Sequence, residues 1–139
     1  MNNEKNELVV GSEVFGGEKA IYCSKTLKTV EDRKAFMEAI ESADVLLQDV
    51  KGQEIILKDV YSEKRMITDE KTGEVRPKYR TILFDADGKT YATGAYGVYS
   101  SLKAIFFVHG EPSSWGDGLK VKVEEKKLDK GRTSLVLKY

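Results

Sequence analysis

The fold is read from Lys78-Tyr-Arg-Thr-Ile-Leu-Phe84, Asp85-Ala-Asp-Gly88 and Lys89-Thr-Tyr-Ala-Thr93. Two runs rich in aromatic and β-branched residues flank Asp87-Gly88, a pair that tolerates the positive φ of a tight turn, so the stretch is a β-hairpin. Before it, Glu54-Ile-Ile-Leu-Lys-Asp-Val-Tyr61 is a further β-rich run extending toward Ile67, and Thr68 to Glu74 is a polar loop with a turn glycine at Gly73. After it, Gly94 to Gly97 breaks the pattern as a flexible strand-to-helix corner. Val98, Leu102, Ile105 and Phe106 then recur at helical spacing, which predicts a helix ending near His109, with Gly110 as its cap and Pro112 just beyond. Ser113 to Gly118 is a loop around Trp115. Leu119-Lys-Val-Lys-Val123 alternates as a half-buried strand does, Asp129-Lys130-Gly131 is a turn, and Thr133 to Lys138 is the last strand.

From Gln53 the order is strand, strand, strand, helix, strand, strand. That is the order of an OB-fold-like five-stranded antiparallel barrel, mainly β, with its helix between the third and fourth strands. An open sheet with two helices on one face is the alternative. Upstream, Met1 to Asn6 reads as a loose tail and Ala20-Ile-Tyr-Cys23 as a short strand. Thr29 caps an amphipathic helix over about 30–43, in which Val30, Phe36, Met37, Ile40 and Ala43 recur and Glu31 and Asp32 favour the helix dipole. Val50 to Gln53 is a turn. The expected organisation is a single domain over 1–139, with an N-terminal extension at 1–50 and the barrel at 51–139.

Composition fits a soluble globular chain, at 40% hydrophobic and 33% charged residues. The longest apolar stretch, Ala104 to Val108, is far too short to cross a bilayer, and the first residues lack a signal-peptide pattern. A cytoplasmic location is expected. The net charge is zero, but residues 1–75 carry 11 Lys and Arg against 16 Asp and Glu, and residues 76–139 carry 12 against 7. The second half therefore has room for a basic face of the kind phosphate contact needs.

The chemistry argues against an enzyme. One cysteine, Cys23, and one histidine, His109, leave no nucleophile–base pair and few metal-ligand sets. No phosphate loop or dinucleotide fingerprint is present, since Gly94-Ala-Tyr-Gly97 lacks the following lysine and hydroxyl. Asp85 and Asp87 belong to hairpin turn chemistry rather than to a metal pair. No catalytic residue, metal or cofactor is expected.

Binding is better supplied. Single-stranded nucleic acid is held by a basic groove and by aromatic faces on which bases stack. The aromatic candidates are Tyr61, Tyr79, Tyr91, Tyr96 and Trp115; Phe84 and Phe106 are assigned to the core. The basic candidates are Arg76, Lys78 and Arg80 around the first loop, and Lys120, Lys122, Lys127, Lys130 and Arg132 near the last. Lys120 and Lys122 point outward if Leu119, Val121 and Val123 point inward. In such a barrel the ligand crosses the second and third strands between two loops, here Ile67 to Pro77 and about Lys126 to Arg132.

Arg80 to Thr93, Gly97-Val-Tyr-Ser-Ser-Leu102, Gly110-Glu-Pro-Ser-Ser-Trp115 and Leu119 to Val123 are together similar to the small single-stranded-DNA-binding proteins of phages that infect Gram-positive bacteria, including protein-primed replicating phages. The resemblance covers about Arg80 to Lys138. It implies an OB-like barrel that coats displaced single strands during genome replication, with single-stranded DNA as partner, replication proteins as further partners, no membrane, and a homo-oligomer compatible with it. A protein-interaction module and an RNA-binding barrel are the competing readings.

Overall fold

The computed structural model describes residues 21–25 and 27–139; the expected tail, Met1 to Asn6, and Ala20 lie outside them. The elements are β1 (Ile21–Cys23), α1 (Val30–Glu41), β2 (Val45–Leu46), β3 (Glu54–Thr68), β4 (Val75–Asp85), β5 (Thr90–Thr93), α2 (Tyr96–His109), β6 (Leu119–Lys127) and β7 (Thr133–Lys138). The chain is mainly β: a curled, mixed, seven-stranded sheet in the order β2-β5-β4-β3-β6-β7, with β1 also paired to β3, and two helices.

β3 organises the curl. One edge pairs with β4 from Leu57 to Thr68, and the other pairs first with β6 at Glu54–Leu57 and then with β1 at Tyr61–Glu63. A bulge between Leu57 and Asp59 lets one strand serve neighbours on both sides. It also changes the phase of burial. Ile55 and Leu57 enter the main core before the bulge, Val60 after it.

The sheet has two covered faces. Inside the curl, Leu83, Tyr91, Val121 and Val123 pack with α2 residues Val98, Tyr99, Leu102 and Phe106 and with Trp115. On the opposite face, Tyr61, Ile82 and Phe84 pack with Phe36 and Ala39 of α1. The helices therefore lie on opposite faces, unlike the open-sheet alternative. Thr29 caps α1 by accepting the N–H of Asp32 at 3.0 Å, and α2 ends at Gly110, whose N–H reaches Phe106 O at 2.9 Å. α1 ends at Glu41, two positions short of Ala43.

Three departures from expectation matter for the site. β4 begins at Val75 rather than Lys78, so β3 and β4 project together as a two-stranded ribbon beyond the last β5 pairing at Thr81↔Thr93. The segment after α1 adds a strand: β2 runs parallel to β5, Leu47 is buried, and Asp44 Oδ2 accepts Thr90 N–H at 2.9 Å. The sheet is therefore mixed, not wholly antiparallel. Finally, β5 and β7 do not pair, because both edges are occupied: β2 takes the edge of β5, and α2 takes that of β7, where Ser101 Oγ accepts Leu137 N–H at 3.0 Å. α2 begins at Tyr96, so Gly97 is a helical residue packed against β7, where its N–H donates to Ser134 Oγ at 3.3 Å. It is a close-approach position and not a flexible corner.

Candidate nucleic-acid interface

The β3–β4 register brings the basic residues of the ribbon together. Arg65 faces Lys78 and Glu63 faces Arg80 on one side of the ribbon, while Lys64 faces Tyr79 on the other. At the base of the ribbon a groove of about 260 Å³ is lined by Glu63, Arg65, Lys78, Tyr79 and Arg80, by Ala92, Thr93 and Gly94 at the end of β5, and by Leu46 of β2. A second, polar groove of about 550 Å³ continues from Thr93 and Gly94 to Thr133–Leu135 at the start of β7, with Asp49, Lys51 and Glu125 as its charged residues. The two grooves share Thr93 and Gly94, so the path runs from the ribbon to the strand that follows the β6–β7 turn.

The aromatic candidates divide sharply. Tyr79 and Tyr96 stay accessible, and Tyr96 is 53% exposed. Their rings lie 5.2 Å apart, and Tyr79 rests on buried Tyr99 at 4.5 Å, so Tyr79 is held from behind. Tyr61, Tyr91 and Trp115 are buried, at 8%, 6% and 7% exposure, and present no free face for stacking. The burial has a local reason in each case. Tyr61 sits under α1 and donates to Glu63 Oε1 at 3.1 Å, Tyr91 donates to Asp85 Oδ2 at 2.9 Å, and Trp115 Nε1 donates to Gly110 O at 3.0 Å. Each polar tip has a partner while the apolar body fills a core. Phe84 and Phe106 are core residues, as expected.

The basic candidates are likewise sorted. Lys78 is exposed, with no carboxylate at ion-pair distance among the described residues. Arg80 is half-buried and donates to Ile40 O in the last turn of α1, where a cation suits the helix dipole. Arg76 pairs with Asp69 at 3.7 Å and Glu74 at 3.8 Å at the ribbon tip. Lys120 and Lys122 are exposed on the outer side of β6, beside Glu54 at 4.0 Å and Glu124 at 3.6 Å, and line neither groove. Lys127, Lys130 and Arg132 are exposed around the β6–β7 turn, next to the second groove but not lining it. Sequence reasoning passed over Arg65, Lys64 and Leu46. The signal for Arg65 was the hairpin itself, because closing the ribbon at Thr68↔Val75 fixes Arg65 opposite Lys78.

Burial pushes the Tyr61, Tyr91 and Tyr99 phenols up to about 12; the Glu63 and Asp85 carboxylates add to the effect at Tyr61 and Tyr91, and Tyr79 adds to it at Tyr99. A phenol whose folded value is raised stabilises the fold at pH below its ordinary value of 10.0, and that stability is lost as pH rises toward about 12. Alkaline titration followed by tyrosinate absorbance and circular dichroism is therefore expected to show these rings ionising together with unfolding. Their ionisation near pH 10 in an intact fold would contradict their burial.

No group of three or more His, Cys, Asp or Glu side chains among the described residues is placed to hold a metal ion. No helix among them is long and apolar enough to cross a membrane. The sequence matches the family model described as Phage Single-stranded DNA-binding protein over residues 17–139, which takes in α1 and most of the acidic first half as well as the stretch from Arg80 that carries the resemblance. No curated protein and no solved structure matches the chain. With a match over most of its length, the chain belongs to the family of phage single-stranded DNA-binding proteins and binds single-stranded DNA in phage replication.

Proposed function

We propose that the chain is an OB-like barrel that coats displaced strands without sequence preference, holding the strand in the path from the β3–β4 ribbon across Thr93 and Gly94 to the β6–β7 turn. The observation that carries this reading is the base of the ribbon, where Arg65, Lys78 and Arg80 line the groove on one side of β4 and Tyr79 stands accessible on the other. A strand crossing the edge of β4 that β5 leaves unpaired meets Lys78 and Arg65 with its phosphates on one side and stacks a base on Tyr79, backed by Tyr99 and flanked by Tyr96, on the other. Stacking tolerates any base and phosphate contact ignores sequence, so the same groove takes all strands. The OB-like reading rests on the strand order from β3 to β7, with α2 between the third and fourth of those strands. On this reading α2 bridges the gap between β5 and β7, residues 1–50 are an extension of one domain, and the protein works in the host cytoplasm.

The test is titration with oligo-dT of about 20–40 nucleotides at low salt. Tyrosine emission is expected to be quenched, and affinity to fall with added salt. Tryptophan emission, excited selectively, is expected to stay unchanged, because Trp115 is buried away from the groove. No binding at micromolar protein overturns the reading, and preference for matched RNA would make it an RNA binder.

One observation favours a protein contact in addition. Phe107 and Val108 on α2 are 82% and 69% exposed. A replication protein is the partner this patch suggests, and Phe107→Ser would abolish its capture while leaving oligo-dT binding intact.

A further inference from the structure

The face of β3 and β4 opposite the main core is an aromatic and cationic surface, and α1 covers it. Tyr61, Ile82 and Phe84 form its floor, and Arg80, Lys78 and Arg65 continue it along the same side of the strands into the first groove. The groove ends where α1 ends, at the contact between Arg80 and the Ile40 carbonyl.

α1 imitates what a bound strand would offer. Phe36 lies stacked over Phe84, with planes 13° apart and centroids at 6.4 Å, and meets Tyr61 edge-on at 5.3 Å. The Ile40 carbonyl gives Arg80 an acceptor oxygen. An aromatic ring on the platform and an oxygen on the guanidinium are the contacts a base and a phosphate would make.

α1 is also weakly held. Of its twelve residues, Phe36 and Ala39 alone are buried, and they belong to a small cluster separate from the main core. Elements with so little buried apolar surface open at lower cost than the fold as a whole. The helix carries Glu31, Asp32, Glu38 and Glu41 against Arg33 and Lys34, so a phosphate backbone arriving in the neighbouring groove repels it.

We infer that α1 is a displaceable cover on a second nucleobase platform formed by Tyr61 and Phe84, and that single-stranded DNA entering from the groove takes Arg80 from the Ile40 carbonyl and replaces Phe36. The inference rests on the groove reading above and extends the strand's path along β4 from Lys78 to Phe84.

Hydrogen exchange on the full chain, with and without saturating oligo-dT, tests it. Amides of α1 from Arg33 to Ser42 exchange faster with DNA bound, while those of α2 do not. Phe36→Ala, which empties the place of the stacked ring, tightens oligo-dT binding by about three- to tenfold, since less of the protein is closed. Unchanged or slowed exchange in α1 with DNA bound overturns the cover and leaves DNA binding standing. A Phe36→Ala chain that binds no more tightly overturns it as well, provided the near-ultraviolet dichroism of Trp115, in the other core, is unaltered. If oligo-dT does not bind at all, both readings fall.

Discussion

Arg65→Ala combined with Lys78→Ala is expected to weaken oligo-dT binding about 30-fold at low salt, on the basis of about 1 kcal/mol for each charge-assisted contact removed. The two residues face one another across the ribbon and line the same groove, so one strand of DNA meets both. Each phosphate contact on a single strand contributes about 0.7 to the salt slope, so the double variant should also flatten that slope by about 1.4. Stability should hardly move. The Arg65 side chain is 66% exposed; its partner Glu63, 3.0 Å away, is 15% exposed but keeps the Tyr61 hydroxyl as a donor when Arg65 is removed, so the loss should stay near the upper end of the about 0–1 kcal/mol of exposed pairs. The control is Lys120→Ala with Lys122→Ala, which changes the net charge equally on the outer side of β6. If the groove carries the DNA, the control loses about threefold or less through the general field alone. Equal losses in the two double variants would replace a built groove by a diffuse basic surface.

Arg65 also marks where the sequence stops being legible. The hairpin at Asp85–Gly88, the helix cap at Gly110 and the alternation of β6 can be read because each has a local cause: a turn that needs positive φ, a C-terminal cap, a strand with one buried side. The ribbon has the first of these at its tip, where Gly73 has a φ of +74, and neither of the others. Met66, Ile67 and Val75 are exposed and Arg76 to Lys78 are charged or proline, so neither face of that part of β4 shows an apolar period. Backbone pairing, not burial, makes it a strand, and Pro77 is tolerated because the β5 side of the strand is unpaired there. The same lack of local cause hides the fate of the tyrosines. Tyr61 precedes Ser62 and Tyr79 lies between Lys78 and Arg80 in the sequence, yet α1 buries the first while the second stays accessible. The register of the bulge at Leu57/Asp59 and the docking of α1 decide this, and both are tertiary events. β2 was missed for a related reason: two residues cannot show a period, and the strand exists because Asp44 ties the segment to Thr90.

Gly97→Ala is expected to destabilise the chain by about 3 kcal/mol or more, lowering the thermal midpoint by about 10 °C or preventing folding. Two effects oppose one another at this position. Alanine is the better helix former by about 1 kcal/mol, and Gly97 is not among the glycines of positive φ, so local conformation alone favours the change. Space forbids it. A Cβ at Gly97 would run into the carbonyl oxygen of Leu135, and it would also lie 2.6 Å from Ser134 Oγ and 3.0 Å from Val136 Cγ1. Two of these atoms are side-chain atoms with some freedom to turn. The third is backbone of β7, which is paired to β6 along its length and cannot retreat without breaking that ladder. Relief therefore comes only by lifting the start of α2 off β7, which breaks the bonds from Gly97 N–H to Ser134 and from Leu137 N–H to Ser101. Gly88→Ala is the contrasting change: it costs about 1 kcal/mol from a φ of +88 alone, with no atom within 4 Å of the new carbon. Thermal unfolding of the two variants separates steric from conformational cost, and equal small losses would show that α2 does not sit as closely on β7 as described. The consequence reaches the function as well. Ala95, Ser134 and Leu135 line the second groove, so a Gly97→Ala chain that still folds should keep the contacts at Arg65 and Lys78, lose those beyond Gly94, and bind a shorter oligo-dT as tightly as a longer one.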